Sequence, residues 1–460
     1  MAAINSEELD FTLSGKNDHY TSHLAQVTVQ KGNKIITTED IHNEYGVLLL
    51  RKGAILNDKA AQKIINHKLV NPIEEDIAIE KTLSGKLLAE KFIELQNKYP
   101  DIRQINETHH FEKEILDLFT KKRLPPILLQ KLTVLHEQLP KHFEKGLFSA
   151  WLSSLTARKM DFDHYDIHDV FLAGLVHDLG FIHIDPEIIL ADRELTPEEW
   201  RALQGHVVVG KVVLEGIPDI SDNIARAVLE HHENCDGSGY PRSIMKNDIL
   251  PMSNIISMVD SIYAIRVNQF EKNNYSLADI FPYLQLNYTT HSMEVYRAIY
   301  GIVKDADLTR HNSSPHDSAE KYATNLLKRS EIINSVIPHL VKSLENLLDI
   351  QQYLGNKNAQ TIISVTTRML TMLTMSGLLF DTHLQWLTEM SNKANDDIMD
   401  ELIQNDLMLQ ELNWQLRNTH RFLNLFSDEL KDDKEKEQLS LDQSISELRS
   451  CLDKLNEIRT

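Results

Sequence analysis

A mainly α-helical chain, with a small β-rich unit at its start and a helical tail, is the fold this sequence predicts, and three observations predict it. Apolar residues return every three or four positions through most of the chain, the period of a helix face. Glycine and proline are scarce, 16 and 13 among 460 residues, so long helices meet few breakers. Short β-branched runs set between turns are concentrated in residues 25 to 80.

The β-rich unit, residues 1–80, rests on VTV at 27–29, KIIT at 34–37, a turn at Asn43 to Gly46 and the run Val47 to Leu50. Asp58 stands as the N-cap of the helix that follows, AAQKIINHKL. Residues 81–144 read as a helical connector interrupted by Pro100 and the Pro125-Pro126 pair. Its His109-His110 doublet lacks a neighbouring carboxylate and reads as exposed helix surface. Residues 145–310 form a helical domain whose ionisable residues fall at helix ends and turns. In the tail, residues 320–460, Ile333, Val336, Leu340, Leu344 and Leu347 mark one helical face. From Ile398 through Leu402, Asn405, Leu409, Leu412, Leu416, Thr419, Leu423 and Phe426 to Leu430 the spacing alternates four and three, the seam of a coiled coil with two polar interruptions. Leu441, Ile445, Leu448, Leu452 and Leu455 repeat it. The charged stretch at 431–438 lies between, so a helical hairpin, an intermolecular coiled coil serving a homodimer or a protein partner, and an ordinary packed bundle all fit.

Length points to about three structural units. A net charge of −20 disfavours nucleic acid, whose non-specific binding requires a surplus of lysine and arginine. A small phosphate ligand remains open to locally concentrated positive charge. No stretch approaches the ~18 apolar residues of a membrane span, and the opening MAAINSEELDF lacks the regions of a secretory signal, so the cytoplasm is the expected location. Cys235 and Cys451 are too few for a disulfide framework.

The chemistry gathers between 170 and 265. VFLAGLVHDLGF is an apolar helix ending in His177-Asp178. LTPEEWRALQGH opens on a capping pattern, Thr196 with Pro197 and Glu199, and delivers His206. IARAVLEHHENCDGSGYPR brings His231-His232 to a helix end before a glycine-rich turn. MSNIISMVDSIYAI sets Asp260 in an apolar helix, where a carboxylate is costly unless paired or coordinated. Each alone reads as a hydrogen-bonded histidine or a capping aspartate. Together, at intervals of about 25 to 30 residues, they read as a metal cluster.

HHENCDGSGYP resembles the HHExxDGxGYP motif of the HD-GYP family, bacterial cyclic di-GMP phosphodiesterases within the HD phosphohydrolase superfamily. The likeness extends through VHDLG, IDPEIIL, LTPEEW with His206, and the aspartate of MVDSIYA. EYGVLLLRKGAIL also resembles a small β-domain often found in front of such domains. The resemblance implies an HD-type helical bundle in which His177, Asp178, His206, His231, His232 and Asp260 hold two or three divalent ions. Gly239, Tyr240 and Pro241 would form the turn that names the family, and Arg242 and Lys246 would bind substrate phosphate. Where the family's first helix carries a histidine ligand, this chain has Phe148; Glu144, four residues earlier, stands where some members carry a carboxylate ligand, with His142 as a fallback. Phe181 stands where the family carries a lysine, and Gln269 where it carries an arginine, with Arg266 nearby.

Two ions ~3.5 to 4 Å apart can generate the nucleophile and neutralise the phosphoryl oxygens of a phosphodiester. Imidazoles and carboxylates without thiolates favour iron or manganese over softer choices, and Cys235 is expected to stay out. The expectation is a metal-dependent phosphodiesterase of cyclic di-GMP, with Asp178 as its catalytic residue, yielding pGpG or GMP, and slowed by loss of the cation that Phe181 replaces. The alternative is a degenerate domain that binds metal or nucleotide and acts as a receptor or scaffold.

Overall fold

The computed structural model describes residues 19–121, 124–193, 195–271, 275–287, 290–308, 318–354, 357–393, 396–430 and 435–458. Among the described residues helices dominate, and the named strands are confined to the N-terminal unit. Strand β1 (Ile35–Thr37) pairs antiparallel with β4 (Ile77–Ile79), and β2 (Ile41–His42) with β3 (Leu48–Leu50). Between β2 and β3 the Asn43 side chain accepts from the amides of Tyr45 and Val47, at 3.1 and 2.9 Å, and Gly46 takes φ +76° to close the turn.

Two local expectations need correction. VTV at 27–29 lies in the helix Tyr20–Lys31, not in a strand. On a strand Val27 and Val29 would share a face; here Val27 is buried and Val29 is 56% exposed, as the helical turn of ~100° per residue requires. Tyr20, Leu24 and Val27 form the buried stripe that overrides β propensity. The next helix, Asp58–Ile64, is capped by Asn57, whose side chain accepts from the Ala60 amide, so Asp58 is its first residue.

The connector supplies the helices Gly85–Lys98, Pro100–His109, Glu112–Lys121 and Pro126–Gln138. His109 is half-buried rather than exposed surface: its Nε2 meets the Ile302 carbonyl at 2.8 Å. The helices Pro140–Lys159 and His164–Val176 pack side by side at the centre, and Pro251–Ile265 lies against the first of them. One continuous apolar core joins the N-terminal unit to this central domain, from Tyr20 through Phe92, Trp151 and Phe171 to Ile302.

A second core belongs to the tail. Helices Ala319–Leu354, Lys357–Met375, Asp381–Lys393, Met399–Glu429 and Glu435–Glu457 wrap around it. Leu402, Leu409, Leu412, Leu416, Leu423 and Phe426 of the seam are buried there, as are Leu441, Ile445, Leu448, Leu452 and Leu455. Within the chain the stripe packs against the tail's own helices, Met399–Glu429 and Glu435–Glu457 included, as a bundle would have it. The first four residues of the charged stretch at 431–438 lie outside the described residues.

Candidate metal centre

Local structure delivers each side chain of the centre. Asp163 caps the helix His164–Val176, accepting from the amides of Tyr165 and Asp166, and that helix ends by presenting His177 and Asp178. The expected capping box of Thr196 and Glu199 starts the helix Pro197–Gln204, which runs into His206. Ser221 caps Asp222–Glu230, which leads to His231 and His232. Gly180 lets these pieces meet: a Cβ there would lie 2.0 Å from the His206 carbonyl oxygen.

Three imidazoles are oriented in the same way. His177 Nδ1 lies 2.7 Å from the Gly174 carbonyl, His206 Nδ1 2.8 Å from that of Leu203, and His231 Nδ1 2.7 Å from that of Val228. A carbonyl only accepts, so each Nδ1 carries a proton, and in a neutral imidazole Nε2 presents a lone pair. Those Nε2 atoms converge on one carboxylate oxygen: Asp178 Oδ1 is 3.6 Å from His177, 3.7 Å from His206 and 3.9 Å from His231. His206 Nε2 and His231 Nε2 are 3.4 Å apart with no proton to share. Buried His177 Nε2 and Asp178 Oδ1 have no hydrogen-bond partner. Two sets of donor atoms lie close enough together to hold an ion, His206 with His231 and His232, and His177 with Asp178 and His231, and the backbone carbonyls behind the rings are the outer partners that metal-bound histidines use. The cluster has the make-up of a divalent-metal site.

The electrostatics agree. Burial, reinforced by His232, lowers His206 to about 3. Burial also lowers His232 to about 4 against the pull of Asp260, and holds His231 well below its ordinary value. All three are neutral at neutral pH, the form that binds metal. For Asp178 and Asp260 burial acts upward, but Lys145 and the histidines outweigh it and hold both carboxyls well below the usual range.

The opposite side of the Asp178 carboxylate is occupied by protein. Its Oδ2 is 2.7 Å from Lys145 Nζ and 2.7 Å from His142 Nδ1, and Lys145 Nζ is also 2.7 Å from Asp260 Oδ1. Sequence reasoning missed Lys145. Residues 142 and 145, three apart on Pro140–Lys159, share the helix face that meets Asp178. Glu144 is turned elsewhere: Lys98 Nζ at 2.7 Å and the Tyr99 and Tyr263 hydroxyls at 3.0 Å all donate to its Oε1. The expectation of Glu144 as a ligand is therefore corrected. His142 contacts Asp178 as a hydrogen-bond partner.

Phe148 is fully buried against Trp151 and Tyr263. Phe181 stacks on His206 at 4.1 Å and 11°. Arg266 does not replace the missing arginine, because it pairs with Asp101 at 2.7 Å and lies over the Tyr99 ring. Cys235 points its thiol at Asn254, 3.3 Å away, and burial pushes that thiol up to about 11.

A cavity of about 310 Å³ opens beside the centre. His232, Asp260, Gly239 and Tyr240 form its floor; Tyr240 stacks on His232 at 4.7 Å. Gly239 is needed there, since a Cβ would lie 2.4 Å from the His232 carbonyl oxygen. The roof comes from the tail: Arg368, Glu411 and Trp414 line it. Arg368 Nη1 donates to Ser238 Oγ at 2.7 Å, and its burial lowers its pKa from the ordinary guanidinium value. Arg368 is the second functional candidate that sequence reasoning missed. The residues expected to bind phosphate are placed elsewhere: Arg242 pairs with Glu230 and lies near Glu233, and Lys246 Nζ is 2.9 Å from Glu294. Neither lines the cavity, nor does the buried Pro241. The turn itself is held by Glu233, which accepts from the amides of Arg242 at 2.7 Å and Ile244 at 3.2 Å.

Residues 125–292 match the HD domain family. The chain is 29% identical over 181 residues to a cyclic di-GMP phosphodiesterase of Thermotoga maritima, a match covering 37% of this chain and 49% of that protein. It is 27% identical over 219 residues to a probable cyclic di-GMP phosphodiesterase of Vibrio cholerae, covering 42% and 49%. Over 113 residues it is 31% identical to the 3'3'-cGAMP-specific phosphodiesterase 3 of Vibrio cholerae, covering 25% and 24%. The chain thus spans about half the length of the first two relatives. No helix among the described residues is long and apolar enough to cross a membrane.

Proposed function

The central domain of this chain belongs to the HD-GYP family, and from that premise we propose that it hydrolyses a cyclic dinucleotide, cyclic di-GMP, at the histidine-aspartate centre. The observation that carries the reading is the convergence of three imidazole Nε2 atoms on Asp178 Oδ1 beside a roofed cavity. His177, His206, His231 and Asp178 would hold a divalent ion, iron or manganese by their nitrogen and oxygen donors. A bound ion lowers the pKa of water and neutralises charge on a phosphoryl oxygen. Asp260 and His232 border the cavity and orient what enters it. From the roof, Arg368 can donate to a phosphate oxygen, and guanidinium pairs with phosphate in strong, often bidentate bonds. The tail bundle covers part of that side of the cavity, and interactions under such a cover are stronger than in open water.

A second reading, nucleotide binding without turnover, is favoured by Phe181, an apolar ring stacked on His206 where the family carries a lysine. One experiment separates the two. Metal-replete protein is incubated with cyclic di-GMP and, separately, with 3'3'-cGAMP, and the nucleotides are resolved by chromatography. Conversion of cyclic di-GMP to pGpG or GMP is expected. Saturable binding with no product selects the second reading, and the absence of both ends the proposal.

A further inference from the structure

The roof of the cavity carries a carboxylate that the metal centre does not use. Glu411 is 2% exposed and lines the cavity from the helix Met399–Glu429. Its Oε1 accepts from Asn287 Nδ2 at 2.9 Å and from Gln415 Nε2 at 2.8 Å, which fills the two lone pairs of that oxygen. Its buried Oε2 has no hydrogen-bond partner among the described residues. Burial raises the carboxyl above its ordinary value, while the amides of Asn287, Gln415 and Gln269 and the Arg368 guanidinium act in the opposite direction. An acceptor left open in a dry wall is costly unless a ligand brings it a donor.

The surroundings narrow what that ligand is. Residues 411, 414, 415 and 418 share one face of their helix and all line the cavity, so the half-exposed Trp414 stands beside the carboxylate. Trp200 lines the same space from the central domain, and Arg368 lines it from the helix Lys357–Met375. Flat aromatic surface, one open acceptor and one cation are thus brought together. A nucleotide carries the complement of all three: a planar base, N–H donors on that base and an anionic phosphate. A simple amine would suit Glu411 but be repelled by Arg368, and inorganic phosphate would suit Arg368 but be repelled by Glu411. Among the bases, guanine sets two donors side by side on its pairing edge, N1–H and the 2-amino group. Adenine and cytosine place an acceptor next to their amino group, and uracil flanks its one N–H with carbonyls.

We propose that Glu411 is a specificity-determining residue, whose Oε2 accepts from the N1–H and the 2-amino group of one guanine of the substrate while Trp414 offers the ring on which that base packs. Base selection then lies in the tail, outside the segment 125–292 that matches the HD domain family. The identity of the ligand rests on the proposed function, but base selection is a property of binding and holds whether or not turnover follows.

The full chain, treated with chelator so that no hydrolysis intervenes, is titrated by calorimetry with cyclic di-GMP, cyclic di-IMP and cyclic di-AMP. These differ only on the pairing edge of the base: inosine lacks the 2-amino group, and adenine presents an acceptor in place of N1–H. Cyclic di-GMP is expected to bind tightest, with cyclic di-IMP about 10-fold and cyclic di-AMP about 100-fold weaker. Glu411→Gln should weaken cyclic di-GMP roughly 10- to 100-fold and bring the three within a few-fold of one another. Trp414→Ala should weaken all three alike, because every base has a face to stack. Equal affinity of the unaltered protein for cyclic di-GMP and cyclic di-AMP overturns the inference whether or not a variant folds. So does a Glu411→Gln protein of unchanged circular dichroism that keeps the original preference, and so does binding of none of the three. Metal-replete protein that hydrolyses cyclic di-GMP and cyclic di-AMP equally well leaves the proposed function standing and removes only the role of Glu411. Guanine-selective binding without any product keeps the role of Glu411 and removes turnover.

Discussion

The central domain and the tail both bury polar side chains, but they bury them differently. In the tail many of the groups find complementary partners, although Ser330 Oγ and Asn413 Oδ1 do not: Ser343 Oγ meets Ser444 Oγ at 2.9 Å, Asn346 Nδ2 the Ser440 carbonyl at 3.0 Å, and Gln415 Nε2 both Asn287 and Glu411 at 3.1 and 2.8 Å. In the centre, the Nε2 atoms of His177, His206 and His231 face Asp178 Oδ1, and those of His206 and His231 face each other. Satisfied polar groups specify a packing arrangement. Groups that face like groups in a dry site cost several kcal/mol each, a cost that a ligand offsets. The difference locates the converging, ligand-ready donors in the central domain and most of the paired groups in the tail.

Removing a converging group should therefore have the largest effect. Asp178→Ala removes both the oxygen facing the imidazoles and the partner of Lys145 and His142, and is expected to abolish metal retention and cut hydrolysis about a thousandfold or more. Elemental analysis and turnover on the same sample check it. Activity at the original level would assign the chemistry to another site. His231→Ala with His232→Ala should likewise release the metal.

The roof sharpens the comparison, because Arg368 belongs to the tail yet faces the centre. Its charged hydrogen bond to a phosphate oxygen corresponds to about 1.5 to 3 kcal/mol, so Arg368→Ala should raise KM roughly 10- to 100-fold with kcat nearly kept. Arg368→Lys should recover part of that loss. An unaltered KM would make the tail a cover without contact to substrate.

Much of the centre was legible in the sequence, because helix ends and an apolar helical period mark where His177, Asp178, His206, His231, His232 and Asp260 lie, and the structure brings all six together around Lys145 and the cavity. Lys145 was not legible. Its role depends on how Pro140–Lys159 is rotated against two helix ends far along the chain, and one residue of rotation exchanges Lys145 for Glu144. Arg368 was hidden for a related reason: Lys357–Met375 reads as an ordinary amphipathic helix until its docking is known. Arg242 and Lys246 illustrate the reverse, since a motif names residue types but not the acidic groups, Glu230 and Glu294, that engage them. In the N-terminal unit, valine and threonine at 27–29 suggested a strand, and burial of Tyr20 and Leu24 decided for a helix.

Acidity probes the same histidines without mutation. His206 and His232 have folded values of about 3 and 4, below the ordinary 6.5. Between those limits the unfolded chain binds more protons than the folded one, so stability falls as pH is lowered from about 6.5 toward 4. Asp178 and Asp260, held well below the usual carboxylate range, add a further loss only under more acidic conditions, below about 4. Metal-free protein should show a lower Tm at pH 5 than at pH 7, and His206→Gln should flatten that slope. An identical slope in the variant would place the pH sensitivity outside the centre.

The smallest effect is expected at Thr419, a polar residue of the tail seam. It is 2% exposed, and its hydroxyl donates to the Gln415 carbonyl of its own helix at 2.9 Å and bonds to no other helix among the described residues. A threonine bonded back to its own helix adds little to register, and valine nearly matches its shape. Thr419→Val removes donor and hydroxyl together, leaving a carbonyl that already accepts within the helix, so stability should change by less than about 1 kcal/mol, in either direction. Leu416→Ala, one turn earlier in the same fully buried seam, should cost about 2 to 5 kcal/mol. Thermal melts of both variants, with light scattering to follow mass, decide between bundle and intermolecular seam. If Thr419→Val changes the association state, the seam reaches another chain; a monomer of unchanged mass with the two costs so ordered is what an internal bundle requires.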